Sequence, residues 1–184
     1  MTEQEKMLSG ALYNAADPAL AAARTAAKDL CFEFNNTRPS AKSRQNEILH
    51  RLLGKTSGTF EFVAPFWCDY GFNIEIGSNF FANLNLVILD CAKVTFGNNV
   101  FIAPDCGFYT AGHPLDWHLR NTGIEYAKPI TVGDNVWIGG GVKVMPGVEI
   151  GNNVVIGGGS VVVKSIPSNS LAVGNPCRVV RSLA

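Results

Sequence analysis

The feature that most constrains this chain is a period of six. From Val132 the residues fall into the blocks VGDNVW, IGGGVK, VMPGVE, IGNNVV, IGGGSV and VVKSIP. The first position is Val132, Ile138, Val144, Ile150, Ile156 and Val162, always β-branched, and the second is glycine in four of the six. The fifth is Val136, Val142, Val148, Val154, Ser160 and Ile166. Neither the 3.6 of a helix nor the 2 of an alternating strand produces this spacing. A flat strand plus a turn takes six residues, and three such units close one triangular coil. The aliphatic first position then points into a prism, while Gly, Asn and Pro-Gly supply the corners. Each coil needs neighbours to bury its faces, so the coils must stack.

The same frame exists upstream, as IGSNFF from Ile76, ANLNLV from Ala82 and ILDCAK from Ile88. It slips by two residues and resumes with FGNNVF from Phe96 and IAPDCG from Ile102. Between about residues 108 and 131 the pattern is lost; this stretch holds His113 and His118 and reads as a long loop leaving the repeat. Residues 1–54 have a different texture. PALAAARTAAKDL, from Pro18 to Leu30, is rich in helix formers, with Asp17 as cap and Pro18 at the first helical position. A second helical stretch runs from about Ser40 to Leu53 and stops at Gly54, and residues 2–8 suit a further short helix. The expected organisation is a helical arm over 1–54, then a mainly β prism over 55–184 with its excursion loop and a carboxy-terminal tail.

Composition narrows the partners. Hydrophobic residues are 47% and charged residues 16%, enough for a core and against disorder. Fifteen basic and fifteen acidic side chains give zero formal charge, which argues against nucleic acid or an anionic membrane as the main partner. No apolar run approaches the roughly 18 residues of a membrane helix. The opening MTEQEKML lacks an apolar signal core. The five cysteines are odd in number and form no C-x-x-C pair, so they read as reduced thiols in a cytoplasmic protein.

Particular motifs go further than the period. The segments 65–90 (with FANLN), 102–162 (with GHPLD) and 174–181 (GNPCRVVR), together with LYNAADPAL at 12–20, resemble the maltose/galactoside O-acetyltransferase family. The similarity covers nearly the whole chain. It implies a left-handed parallel β-helix assembled as a homotrimer, with active sites in the clefts between prisms. It also implies acetyl transfer from acetyl-CoA to a sugar hydroxyl, of glucosyl or galactosyl type and expected at the 6-position, without a metal.

Such a transfer needs a base near the hydroxyl, and histidine titrates in the right range. Of the three histidines, His113 in AGHPLD matches the family's base. His50 lies in the helical arm, where a packing role is the plainer reading, and His118 is a loop residue. The resemblance places Asn83 beside the developing charge or the acceptor, although Asn also suits a repeat corner. Gly140 or Gly141 could offer a backbone amide to the thioester oxyanion, or serve only as turns. For the acceptor the resemblance implicates Asp17 and Asp69, with Asp17 equally fit to cap a helix. Glu125 either orients His113 or is a solvated loop residue. Trp67, Phe72 and Phe81 are a sugar platform, core or trimer contacts. Where galactoside enzymes carry two consecutive Asp residues this chain has Asp90-Cys91, which weakens strict galactoside specificity. For CoA the resemblance implicates Trp137, Gly140, Gly158, Val163, Lys164, Arg178 and Arg181, the cations suiting phosphate.

Other readings exist on the same scaffold. A γ-carbonic-anhydrase-like metal enzyme would use His113 and His118 but lacks a third histidine in the repeats. A serine or antibiotic hydroxyl would keep the reaction and change the acceptor, and a non-catalytic scaffold would keep only the fold.

Overall fold

The six-residue blocks become strands of two to five residues, and the strands collect into parallel sheets that form the faces of a prism. These coordinates are a computed structural model covering all 184 residues. The first face contains Ile74–Ile76, Val94–Phe96 and Ile130–Val132; the second contains Phe80–Ala82, Val100–Ile102 and Val136–Ile138; the third contains Phe66–Cys68, Leu86–Leu89 and Gly107–Tyr109. The chain visits the faces in that cyclic order and each strand pairs in parallel with the strand one coil on, as in Val100↔Val136↔Val154.

Coil length changes along the prism. Ile76 pairs with Phe96, Val132 with Ile150 and Val154 with Ser170, so a coil takes twenty residues in the first half, then eighteen, and sixteen at the end. The two-residue slip of the repeat frame falls at the corner between the third and first faces, around Asp90–Lys93. The wider upper coils are filled by phenylalanine: Phe62, Phe80, Phe96 and Phe108 stack with ring centroids 5.3, 5.2 and 5.0 Å apart. Below them the interior is Val and Ile. Most faces bury two side chains per coil, as Val136 and Ile138 or Val154 and Ile156 do, and at roughly 1.5–3 kcal/mol for each fully buried aliphatic side chain these pairs account for the cohesion of the stack.

The corners follow from backbone chemistry. Asn79, Asn99, Asn135, Asn153 and Asn169 turn the corner after the first face with positive φ, and Asn85, Asp105, Gly141 and Gly159 do so after the second. Short polar side chains tolerate this left-handed conformation and bond to one another: Asn79 to Asn99 at 2.8 Å, Asn99 to Asn135 at 2.9 Å.

Three helices form the arm. Helix α1 (Glu3–Ser9) starts with a capping box between Thr2 and Glu5 and ends at Gly10 in the left-handed region. Helix α2 (Pro18–Asn36) begins where Asp17 accepts from the amides of Ala19 and Leu20. Helix α3 (Lys42–Leu52) ends just before the first prism strand, Lys55–Thr56. Cys31, Phe34, Ile48, Leu49 and Leu52 from α2 and α3 join the prism core, so the helices plug its wide end. At the narrow end Arg178–Ser182 folds back antiparallel on Ser170–Val173; the tail is thus a strand covering the last coil.

The stretch read as a loop is built differently. Gly107–Tyr109 and Ile130–Val132 belong to the prism, so the excursion is shorter than 108–131 and ordered. Strands Ala111–Gly112 and Ile124–Ala127 run antiparallel, with helix α4 (Trp117–Arg120) at the tip. Tyr13–Asn14 from the arm adds a third strand, pairing Tyr13 with Glu125. Sequence reasoning missed this ribbon because its strands are too short to show a period.

Candidate active site

The corner between the third and first faces carries Asp69–Asn73, Asp90–Lys93 and the excursion. A cavity of about 530 Å³ lies there, walled by α2, the corner and the ribbon. Its polar side is Arg24, Lys28, Asp69, His113 and Glu125; Leu89, Met145 and Pro146 give it an apolar side.

His113 is half-exposed at the rim and its two ring nitrogens have different surroundings. Nδ1 lies 3.3 Å from the carbonyl oxygen of Ile124. A carbonyl only accepts, so this contact puts the proton on Nδ1 and leaves the Nε2 lone pair open. Nε2 lies 3.8 Å from Glu125 Oε1. The other carboxylate oxygen, Oε2, accepts from the Tyr13 hydroxyl at 2.7 Å.

Asp69 faces the cavity from the corner. Burial pushes its carboxyl above the ordinary range, and Lys28, 3.7 Å away, pulls it back. Beneath it Asp90 is fully buried and accepts at Oδ1 from the amides of Asp69 and Tyr70, at 3.0 and 2.8 Å. Its Oδ2 has no partner, and burial pushes Asp90 up to about 6. The Tyr70 hydroxyl in turn accepts from Arg24 at 2.6 Å. The Cys91 thiol, 3.7 Å from Asp69 Oδ2, is pushed up to about 12 by burial and stays protonated.

His113, Asp69 and Glu125 therefore meet in one cavity. The other residues singled out in the sequence stand elsewhere. Asp17 caps α2 and does not line the cavity. Asn83 sits at the corner between the second and third faces, its Oδ1 accepting from the Leu84 amide at 2.8 Å. That corner and the His113 corner are separated by the strand Leu86–Leu89, on the order of 15 Å at about 3.3 Å per residue. Within one chain Asn83 and His113 therefore stand apart on either side of the third face.

Gly140 and Gly158 stack at the Asn83 corner, the Gly159 amide donating to Gly140 O at 2.8 Å. The Gly141 amide is taken by Pro104 O at 2.9 Å, so of the two amides considered for the oxyanion only that of Gly140 is free. Trp137 projects outward from the second face, more than half exposed. Val163 and Lys164 follow the strand Val161–Val162, and Arg178 and Arg181 lie on the terminal strand. All seven residues implicated in CoA binding thus lie on the narrower half of the prism, and none lines the cavity.

The three aromatic residues do not form a platform. Trp67 and Phe81 lie on different faces, Phe72 packs near Tyr70 at 5.3 Å, and none borders the cavity. His50 bonds to Thr56 and packs edge-on against Phe60. His118 stacks on Trp117 and bonds to Asp116, and no three His, Cys, Asp or Glu side chains converge as a metal cradle.

Similarity to known proteins agrees with this geometry. Residues 6–58 match the maltose acetyltransferase hexapeptide capping motif, and residues 129–164 match the six-repeat bacterial transferase hexapeptide. A maltose O-acetyltransferase from Clostridium difficile superimposes with a TM-score of 0.99 at 50% identity, over 100% of this chain and 98% of that one. The chain belongs to the maltose/galactoside acetyltransferase family. A galactoside acetyltransferase in complex with coenzyme A gives 0.96 at 41% identity, covering 100% of this chain and 92% of that one. A Vibrio cholerae hexapeptide-repeat acetyltransferase with acetyl coenzyme A gives 0.93 at 38%, with both chains fully covered. A Saccharomyces cerevisiae relative is 52% identical over 97% of this chain and 92% of its own length. The prism is the left-handed parallel β-helix of this family, and this family member is an acetyltransferase.

Arg24 and Lys28, which line the cavity, and Tyr13, which bonds to Glu125, are members of the candidate site that sequence reasoning missed. Arg24 and Lys28 are spaced i, i+4 on an otherwise Ala-rich helix, a signal that two cations share one face. Nothing local marks Tyr13, whose partner is more than a hundred residues away.

Proposed function

We propose that this acetyltransferase moves the acetyl group of acetyl-CoA directly to a sugar hydroxyl, with His113 as general base. The observation that carries the reading is the His113 imidazole at the cavity rim, its Nδ1 facing the Ile124 carbonyl and its Nε2 open. Nε2 takes the hydroxyl proton as the oxygen attacks the thioester carbonyl carbon. The carbon–sulfur bond then breaks, and the CoA thiolate takes the proton back from Nε2. The Glu125 carboxylate, 3.8 Å from Nε2, stabilises the imidazolium between these steps.

Asp69 is the acceptor of hydrogen bonds from ring hydroxyls, with Lys28 and Arg24 beside it. The apolar side of the cavity suits the carbon face of a pyranose. The 6-hydroxyl, primary and outside the ring, has the reach to meet Nε2 while the ring rests near Asp69. The free amide of Gly140 and the side chain of Asn83 steady the tetrahedral oxyanion, and Trp137, Gly158, Val163, Lys164, Arg178 and Arg181 bind CoA. No step needs a metal. Because Asn83 and Gly140 stand at a different corner from His113, the complete site takes its two halves from neighbouring copies, which supports a homotrimer. An outward line of Phe81, Phe101, Trp137, Val155 and Leu171 runs in register down the second face and offers apolar surface for such packing. Five unpaired thiols suit a reducing compartment such as the cytoplasm.

The test is incubation with acetyl-CoA and a panel of glucose, maltose, galactosides, amino sugars, serine and chloramphenicol, quantifying CoA and acetylated product by chromatography. Turnover of a sugar that falls at least about a hundredfold in His113→Ala, with CoA binding kept, is the expected result. Acetylation of serine or chloramphenicol alone replaces the acceptor, and loss of CoA binding in His113→Ala overturns the role given to that residue.

A further inference from the structure

Glu125 stands close to His113 Nε2 without bonding to it, and this calls for a cause. A carboxylate left free beside an imidazole closes to about 2.8 Å on a ring N–H. Were Glu125 to do so, Nε2 would carry the proton and Nδ1 would turn its lone pair on the Ile124 carbonyl, leaving no base at the cavity. The observed separation of 3.8 Å keeps the other arrangement.

What holds the carboxylate back is Tyr13. Its hydroxyl donates to Glu125 Oε2 at 2.7 Å, and the phenol is 1% exposed in a small core with Met7, Leu20, Tyr70 and Cys91. Burial raises its pKa, so it remains a donor throughout the working range. The backbone acts in the same direction: Tyr13 pairs with Glu125 and Asn14 with Ile124, the residue whose carbonyl meets Nδ1. Two residues of the arm therefore fix both groups that face the imidazole. We infer that Tyr13 is a positioning residue whose hydroxyl restrains Glu125 and so keeps His113 Nε2 unprotonated and open to the acceptor. On this account the amino-terminal arm is part of the catalytic apparatus, although it contributes no reacting atom. The effect on turnover rests on the function proposed above; the proton position on His113 does not.

The experiment reads both in the full-length protein. Nitrogen-15 spectra of histidine-labelled protein at about pH 8, above the ordinary imidazole value, report which ring nitrogen carries the proton. Only three histidines contribute, and His113→Ala assigns the signal. The wild type is expected to carry the His113 proton on Nδ1, and Tyr13→Phe, which removes one oxygen atom, to shift it toward Nε2. Sugar acetylation by Tyr13→Phe is expected to fall at least about tenfold in kcat with the KM for acetyl-CoA unchanged. In a Glu125→Ala background the same substitution is expected to change neither tautomer nor kcat. A wild-type proton on Nε2, an unchanged tautomer in Tyr13→Phe, or an equal loss of kcat in both backgrounds overturns the inference. The wild-type tautomer tests it even if Tyr13→Phe fails to fold. If no sugar is acetylated, the proposed function fails while the tautomer still decides the role of Tyr13.

Discussion

Asp90 shows how one side chain can support a site at the expense of stability. It is buried with one oxygen unpartnered, yet its other oxygen holds the amides that place Asp69 and Tyr70. Its pKa rises from 3.8 in an open chain to about 6. A carboxyl raised on folding binds its proton more tightly in the native state. Between roughly pH 4 and 6 the native protein therefore holds more protons, and Asp90's contribution to stability falls as pH rises through that window. Above it the ionised group forgoes roughly 3 kcal/mol. Asp90→Asn keeps an oxygen for the two amides and leaves a neutral group in place of the charge. It is expected to raise Tm at about pH 7.5 and to flatten the dependence of Tm on pH between about 4 and 6, as read by calorimetry. An Asp90→Asn protein less stable than the wild type at neutral pH would show that the charge has a partner after all.

Helix α2 joins local sequence signals to a distant consequence. Asp17 and Pro18 start it for local reasons, whereas its burial is set by what lies below: Cys31 and Phe34 enter the prism core and Arg24 and Lys28 reach the cavity. Asp17→Ala is expected to lower stability by about 1 kcal/mol through loss of the cap and to leave the acceptor KM within about twofold. Asp17→Asn, which keeps a capping oxygen, is expected to preserve both. A tenfold rise in acceptor KM in both variants would instead place that carboxylate on the sugar. The start of α2 was legible because capping is decided within three residues. The ribbon over the cavity was not, since Tyr13 and Glu125 pair across most of the chain.

At the scale of the molecule, His113 and Asn83, the residues proposed to share the chemistry, sit on different corners of one prism. If neighbouring copies complete each other's sites, two inactive variants should restore activity when mixed. Co-expressed His113→Ala and Asn83→Ala chains are expected to recover roughly a quarter of wild-type activity, the fraction of cyclic neighbours in a random trimer that unite an intact His113 with an intact Asn83. Sedimentation of the wild type is expected to give three chains per particle. Recovery no greater than the sum of the separate variants would place both residues in one chain's site.

The period of six and its glycine, asparagine and β-branched positions dictate a prism, because a repeat that buries its first and fifth positions around a turn every six residues has few other ways to close. The family motifs add acetyl transfer, and three of the residues picked out in the sequence, His113, Asp69 and Glu125, line one cavity. The carbonyl facing the His113 ring, the bond from Tyr13 to Glu125 and the separation of Asn83 from His113 could not be read there. Those depend on which corner each connection occupies and on contacts between residues far apart in the chain. A hydrogen bond such as that from Tyr13 to Glu125 leaves no mark on the residues beside either partner. Local pattern reaches as far as local energetics extend; the chemistry of this site begins where packing brings the arm, the corner and the ribbon together.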